Sequence, residues 1–365
     1  MSHLKKFWFT LTALALFPAL LFAGNPTSKY SVLSPISSGN LTIYPVATSI
    51  SHNTSNFMTL DEGIRNGSVV VTESGQVAGL IRRPGQHPVR SSGGEVNRLV
   101  LLNNSDRPLL LLAGEIVTGG KQDRVIGSDR IVPPKSDPVD LSVFCVEPGR
   151  WVARSEKFGY MGSQMAQLSV RAPAMNEKSQ TAVWDNVRES SRNAAKAAPS
   201  AAPMIAGTTS YADVMRNKDV RDRLETVAAP IDRDYGKLIR ELKQQNAVGV
   251  VVAVSGQIIW ADLFASTELL EDYWPKLIRS YAAEAVTGFT RKGVANQHAA
   301  QDFIDSLAGT REVVETEPGI YRRAEITGDG YKVFSLTSLL PKTDFTVHLA
   351  KMSDDSKNHV GPTVD

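Results

Sequence analysis

The first half of the chain alternates apolar and polar positions over short runs, and much of the second half repeats them at helical spacing. Leu41 to Ile50 is apolar and β-prone and reads as a first strand. Leu60-Asp61-Glu62-Gly63-Ile64-Arg65 predicts a short helix with Thr59 as its N-cap, whose hydroxyl can accept from the first turn. Asn66-Gly67 turns the chain into a strand over Ser68–Glu73, with a further strand over Gln76–Arg82. Pro84 to Gly94 reads as a loop that holds His87. Glu95–Leu102 and Pro108–Ala113 are strands joined by the turn residues Asn103-Asn104-Ser105-Asp106. Val139 to Phe144 alternates like a half-buried strand. Roughly six to eight short strands in succession point to an antiparallel sandwich or barrel-like sheet.

Helical spacing is expected over Phe158–Val170 and over Thr181–Ala195, with Val183, Trp184 and Val187 facing inward. Ala194–Ala206, rich in Ala, Pro and Ser, reads as a flexible linker. Tyr211 to Gln245 is helical and charged, and Pro230 should break or kink it. Val248–Val254 and Gln257–Phe264 form a hairpin around Ser255-Gly256, and the first strand is apolar enough to be covered on both faces. Ser266–Thr287 is amphipathic, with Pro275 implying a kink or a helix that starts near Trp274. Gln297–Leu307 is a further helix carrying an exposed His298. Arg311–Tyr321, Tyr331–Leu336 and Phe345–Ala350 are final strands, with the turn Thr327-Gly328-Asp329-Gly330 between two of them. His348 on the last strand reads as a structural histidine. The fold class is therefore α+β: a mostly antiparallel β module, sandwich or barrel-like, plus a helical module packed on a small sheet. The boundaries expected are 24–170 for the β-rich module, 171–210 for a helix and linker, and 211–352 for the α/β module. A polar, disordered tail is expected over 353–365.

Residues 1–23 have the form of a signal peptide: Lys5-Lys6, an apolar run from Phe7 to Phe22, and cleavage after Ala23. The protein is then exported, periplasmic or secreted, with no membrane association after cleavage. A 42% hydrophobic content suffices for a large core, and a net charge of +2 gives no reason to expect a nucleic-acid partner. The single cysteine, Cys145, excludes an intramolecular disulfide.

Candidate chemistry concentrates between Gly114 and Trp151. Lys121-Gln122-Asp123-Arg124 follows a Gly119-Gly120 turn, and Cys145-Val146-Glu147-Pro148-Gly149-Arg150-Trp151 follows a strand. Arg124 and Arg150 offer planar forks for phosphate or carboxylate, and Trp151 offers a stacking face. Lys121 and Gln122 add ligand-binding donors, while Glu147 with Asp123 or Glu115 supplies the acid and base if there is chemistry. A purely structural reading pairs Asp123 with Arg124 and Glu147 with Arg150 at strand ends and puts Trp151 in the core. Gly114 to Lys121 fails as a phosphate-binding loop, since Gly120 stands where lysine is required. No H-E-x-x-H, C-x-x-C or G-x-S-x-G occurs, so no metal site or cofactor is expected from motifs, and Cys145 reads as a buried inert thiol. Divalent-metal hydrolysis through Glu73, Glu115, Asp123 and Glu147 is a weak third possibility without histidines at ligand spacing.

Gly114-Glu115, Gly119 to Arg124 and Cys145 to Trp151 together resemble the ARPP-1 family, a domain named for association with ADP-ribosylglycohydrolase and rhodanese-phosphatase proteins. The family pattern is a GE…GxKQdR element followed by CvExGRW. Leu60–Gly63, Val71–Glu73, Leu101–Asn104 and the Val248–Phe264 segment also fit, so the resemblance spans most of 36–290. Pro148 departs from the glutamine common at that position. The resemblance implies a module that binds or processes an ADP-ribose-like or other phosphorylated or acidic sugar, and the N-terminal segment adds that it is exported. The alternative is a non-enzymatic envelope scaffold that binds a protein partner.

Overall fold

A computed structural model describes residues 29–74, 98–241, 246–288 and 292–354. The expected signal peptide, the strand expected over Gln76–Arg82, the Pro84–Gly94 loop with His87, and the tail beyond Asp354 lie outside the described residues. The α+β class holds: three sheets of nine, six and three strands pack with helices around shared cores.

The nine-stranded sheet draws on both ends of the chain, because Leu41–Thr48 pairs antiparallel with Ala247–Val254. Ala247–Val254 is buried at every position, as its unbroken apolar run predicts. Alternation then divides its side chains. Val250, Val252 and Val254 enter the largest core with the helix Thr267–Thr287, and Val251 and Ala253 pack with Ala300 and Ile304 of the helix Gln297–Asp305. Each buried valine is worth about 1.5–3 kcal/mol relative to exposure. The hairpin closes through Ser255 (φ 53°) and Gly256 (φ 79°), where a Cβ on Gly256 would lie 2.2 Å from the Gly293 carbonyl oxygen. Beyond it the sheet runs through Gln257–Phe264, Phe345–Ser353, Tyr331–Ser338, Tyr321–Gly328 and Thr310–Glu317. The strand expected over Arg311–Tyr321 is thus two, divided by a turn at Gly319 (φ 73°).

The six-stranded sheet has the order Gly159–Met165, Glu115–Thr118, Arg124–Ile126, Val139–Cys145, Arg98–Asn103, Val69–Glu73. Arg130–Val132, Leu109–Leu111 and Met58–Thr59 make the small third sheet. The short helix Leu60–Arg65 starts where expected, with Thr59 accepting from Glu62 N–H at 3.3 Å.

Two expectations fail for physical reasons and one, for Trp184, fails in part, while the helix expected over Ser266–Thr287 keeps its span. Phe158–Val170 is not one helix but the strand Gly159–Met165 followed by the helix Leu168–Ala172. Its pairing with Glu115–Thr118 shifts register between Tyr160 and Met165, with Gly162 at φ 73°. The shift places buried Phe158, Met161 and Met165 three and four residues apart, which imitates helical spacing. Ala194–Ala206 is ordered rather than a linker: the helix Gln180–Ala197 runs on, and a 3-10 turn at Pro199–Ala201 leads into the helix Ala202–Ala206. Alanine is the strongest helix former, and proline at a first helical position starts a turn rather than stopping one. The helix Thr267–Thr287 begins at Ser266, whose hydroxyl accepts from Leu269 N–H at 3.0 Å, and carries Pro275 inside it, as Lys218–Glu241 carries Pro230. Trp184 is only half-buried, while Val183 and Val187 face the core as expected.

Candidate functional site

The two polar clusters meet. Arg124–Ile126 and Val139–Cys145 are antiparallel neighbours with Cys145 opposite Arg124, which lays Asp123 against the residues that follow Cys145. Val146 N–H donates to the Asp123 carbonyl at 3.0 Å, and Asp123 N–H donates to Glu147 Oε2 at 3.2 Å. Gly119 N–H donates to Asp123 Oδ1 at 2.9 Å, and the Ser210 hydroxyl to Oδ2 at 3.3 Å. Arg150 Nη2 lies 2.6 Å from Glu147 Oε2 and 3.4 Å from Asp123 Oδ1. The same guanidinium donates to the carbonyls of Gly119, Gly120 and Val152. Arg154 Nη2 adds contacts to Glu147 Oε1 at 3.2 Å and Asp213 Oδ2 at 3.0 Å. Gly120 has φ 48°, and a Cβ there would lie 2.3 Å from the Phe158 ring, so the turn needs glycine for space and for conformation.

Asp123 is fully buried and Glu147 is 2% exposed. Burial pushes the Asp123 carboxyl up; the Gly119 N–H opposes this, and the Glu147 carboxylate adds to it against both arginines. Two carboxylates with separated environments are the raw material of acid–base catalysis. Here both are enclosed and share one arginine, so the arrangement fastens the Gly119–Gly120 turn to the Cys145–Arg154 loop. Neutralising one carboxylate of this group leaves its hydrogen-bond partners unsatisfied, a cost of about 1–3 kcal/mol.

The same fastening presents an exposed tip. Trp151 is 57% exposed and Val152 78%, which overturns the core placement considered for Trp151. Arg150 Nη1 and Arg154 N–H both end on the Gly120 carbonyl, so the exposed Lys121 side chain stands beside this loop.

The remaining candidate residues lie elsewhere. Arg124 is buried; its Nη1 donates to the Gln122 carbonyl at 2.6 Å, and Nη2 is 4.0 Å from Glu73. Gln122 is fully buried with neither amide atom hydrogen-bonded to the protein. Cys145 is buried, and its thiol is pushed up to about 11 by burial, against the Arg124 charge, which suits an inert thiol. Glu115 belongs to a different cluster, with Oε1 2.5 Å from Lys276 Nζ and Asp61 3.2 Å from the same ammonium. Of the four carboxylates of the metal reading only Asp123 and Glu147 share a partner, Arg150, and no group of three or more metal-ligating side chains forms among the described residues.

Sequence reasoning missed a second charged chain. Arg171 donates through both Nη atoms to Asp262, at 3.2 and 3.1 Å, and stands 4.8 Å over the Trp260 ring. Tyr281 OH donates to Asp262 Oδ2 at 2.6 Å, and His348 Nε2 lies 3.3 Å from Oδ1. On its other side, His348 Nδ1 is 2.6 Å from Asp129 Oδ2. Burial alone depresses the His348 imidazole, but the Asp129 and Asp262 carboxylates override it and raise the group to about 9. The polar break at Asp262 within an apolar strand and the strand histidine His348 are the marks this network leaves in the sequence.

A family model described as ARG and Rhodanese-Phosphatase-superfamily-associated Protein domain, ARPP-1, matches residues 29–352. Neither the curated proteins nor the solved structures contain a match to this chain.

Proposed function

The chain belongs to the ARPP-1 family, and from that premise we propose that it is an exported binding module for a phosphorylated or acidic sugar, with the Trp151 loop as its contact surface. The observation that carries this reading is a tryptophan 57% exposed on a loop fastened by Arg150, through the Gly120 and Val152 carbonyls and Glu147, and by Arg154, through Glu147 and Asp213. An exposed indole gives a large face for a sugar ring or base, and a preorganised loop loses little entropy when it binds. Lys121 and the half-exposed Arg154 stand beside the tip and can meet an anionic substituent. The enclosed Asp123–Glu147 pair supports binding rather than turnover.

A thermal-shift panel with ADP-ribose, sugar phosphates and acidic sugars tests the reading. A ligand at about 100 times its dissociation constant adds about 2.7 kcal/mol. The shift should vanish in Trp151→Ala while the unliganded melting temperature stays put. A shift that survives in that variant removes Trp151 from the site. Val152, the most exposed large apolar side chain beside Trp151, favours a second reading in which the tip docks on an envelope protein. That reading requires Trp151→Ala and Val152→Ser to lose the same partner without either affecting the sugar panel.

A further inference from the structure

We propose that a groove where the three sheets meet is a second binding site, for a small phosphate-bearing polyanion, formed by Arg98, Arg130, Lys178 and Arg323. It does not rest on the Trp151 reading and shares no residue with that loop. The loop Gly127-Ser128-Asp129 passes from the six-stranded sheet to the three-stranded sheet and faces the strand Tyr321–Gly328 of the long sheet. Beside it opens a groove of about 540 Å³ lined by those four cations and by Asp140 and Glu315. That volume lies in the range of small-molecule sites, about 300–1,000 Å³. A neighbouring cavity, which shares Gly127, Ser128 and Arg323, has only about 20 Å³, room for a water. The ligand therefore belongs in the larger groove.

The cations reach the groove from four elements: the strands Arg98–Asn103, Arg130–Val132 and Tyr321–Gly328, and the residue capping the π-helical turn Pro173–Glu177. That cap, Lys178, sits at φ 50°, a conformation a lysine adopts only when its surroundings impose it. Asp140 pairs with Arg98, Glu317 with Arg130 at 3.2 Å, Glu325 with Lys178 at 3.5 Å and Glu315 with Arg323 at 2.5 Å. These carboxylates position the cations but do not use up their donors. A guanidinium carries five N–H groups. Arg130 spends Nη1 on the Asp140 carbonyl and Nη2 on Glu317, Arg323 spends Nη2 on Glu315, and Nε–H of both has no protein partner. Planar donors arriving from several directions suit a tetrahedral oxyanion with many acceptors better than a single carboxylate.

Calorimetric titration of the whole protein with inorganic pyrophosphate, at constant ionic strength, tests this. Wild type should bind, and Arg130→Gln and Arg323→Gln should each weaken binding by about tenfold or more. Glu317→Gln should tighten it several-fold by removing a competing charge, and Trp151→Ala should leave it unchanged. Lys178→Gln, at a side chain 56% exposed, weakens binding without threatening the fold and serves if an arginine variant does not fold. No binding by wild type overturns the proposal. So does equal affinity in the arginine and lysine variants, or weaker binding in Glu317→Gln.

Discussion

Two of the buried charge networks among the described residues differ in what lies at their ends. The motif network joins Asp123, Glu147 and Arg150; it runs out to Arg154, 45% exposed, and through Arg150 to the carbonyl of Val152, exposed beside Trp151. The other network joins Arg171, Asp262, His348 and Asp129 and has no member more than 6% exposed. The first knots a short stretch and holds up a surface; the second ties the helix Leu168–Ala172, two strands of the long sheet and the loop before Arg130 into one body. Charge burial by itself therefore does not mark a site. A network marks one when its rigidity is spent on something that faces solvent.

The largest effect should come from cutting the fully enclosed network. Asp262→Ala strands Arg171 and His348 together and should cost about 3–5 kcal/mol in denaturant unfolding. A loss below about 1 kcal/mol would mean that the two networks are not different in kind.

The pH dependence of stability sharpens the contrast. His348 is raised in the folded state, so its contribution is complete below about pH 6.5 and is lost as pH rises through about 9. Lys351, whose ammonium bonds the Phe303 and Ser306 carbonyls, is lowered by burial from 10.5 to about 8. Its folded form releases the proton first, so it adds stability as pH passes from about 8 to 10.5. Unfolding free energy should fall above neutrality, level off between about pH 8 and 9, and recover towards 10.5. In Lys351→Met the fall should continue to about pH 9 with no recovery beyond it, and a curve identical to wild type would contradict the assignment.

Smaller effects belong to the motif. Gln122→Met replaces a buried amide without partners and should be neutral or stabilising by up to about 1–2 kcal/mol, despite its place in the family pattern. Clear destabilisation would show that the amide has a role the contacts do not reveal. Trp151→Ala, on an exposed tip, should change stability by less than about 0.5 kcal/mol.

The same contrast explains what could be read from the sequence. The hairpin around Ser255-Gly256, the Thr59 cap and the buried Ala247–Val254 strand follow from local rules, and local rules sufficed for them. The Glu147–Arg150 pair follows from a three-residue spacing, but the hydrogen bond from Asp123 to Glu147 joins two clusters whose meeting the sequence left open. Which motif residues face solvent was not legible, because alternation gives faces without saying what covers them. The chain through His348 joins residues separated by 91 and 219 positions, and one sequence without an alignment carries no signal for such pairs. The strand Gly159–Met165 was hidden because a register shift erased its alternation.

The central claim is that the motif carboxylates hold the loop and that Trp151 meets the ligand. Glu147→Gln tests it most directly, through its unliganded melting temperature and its response to the ligand that shifts wild type. The account predicts a melting temperature lowered by about 1–3 kcal/mol of lost stability, with the ligand-induced shift retained in the folded protein. An unchanged melting temperature with the ligand response abolished would contradict it, and would place Glu147 in contact with the ligand.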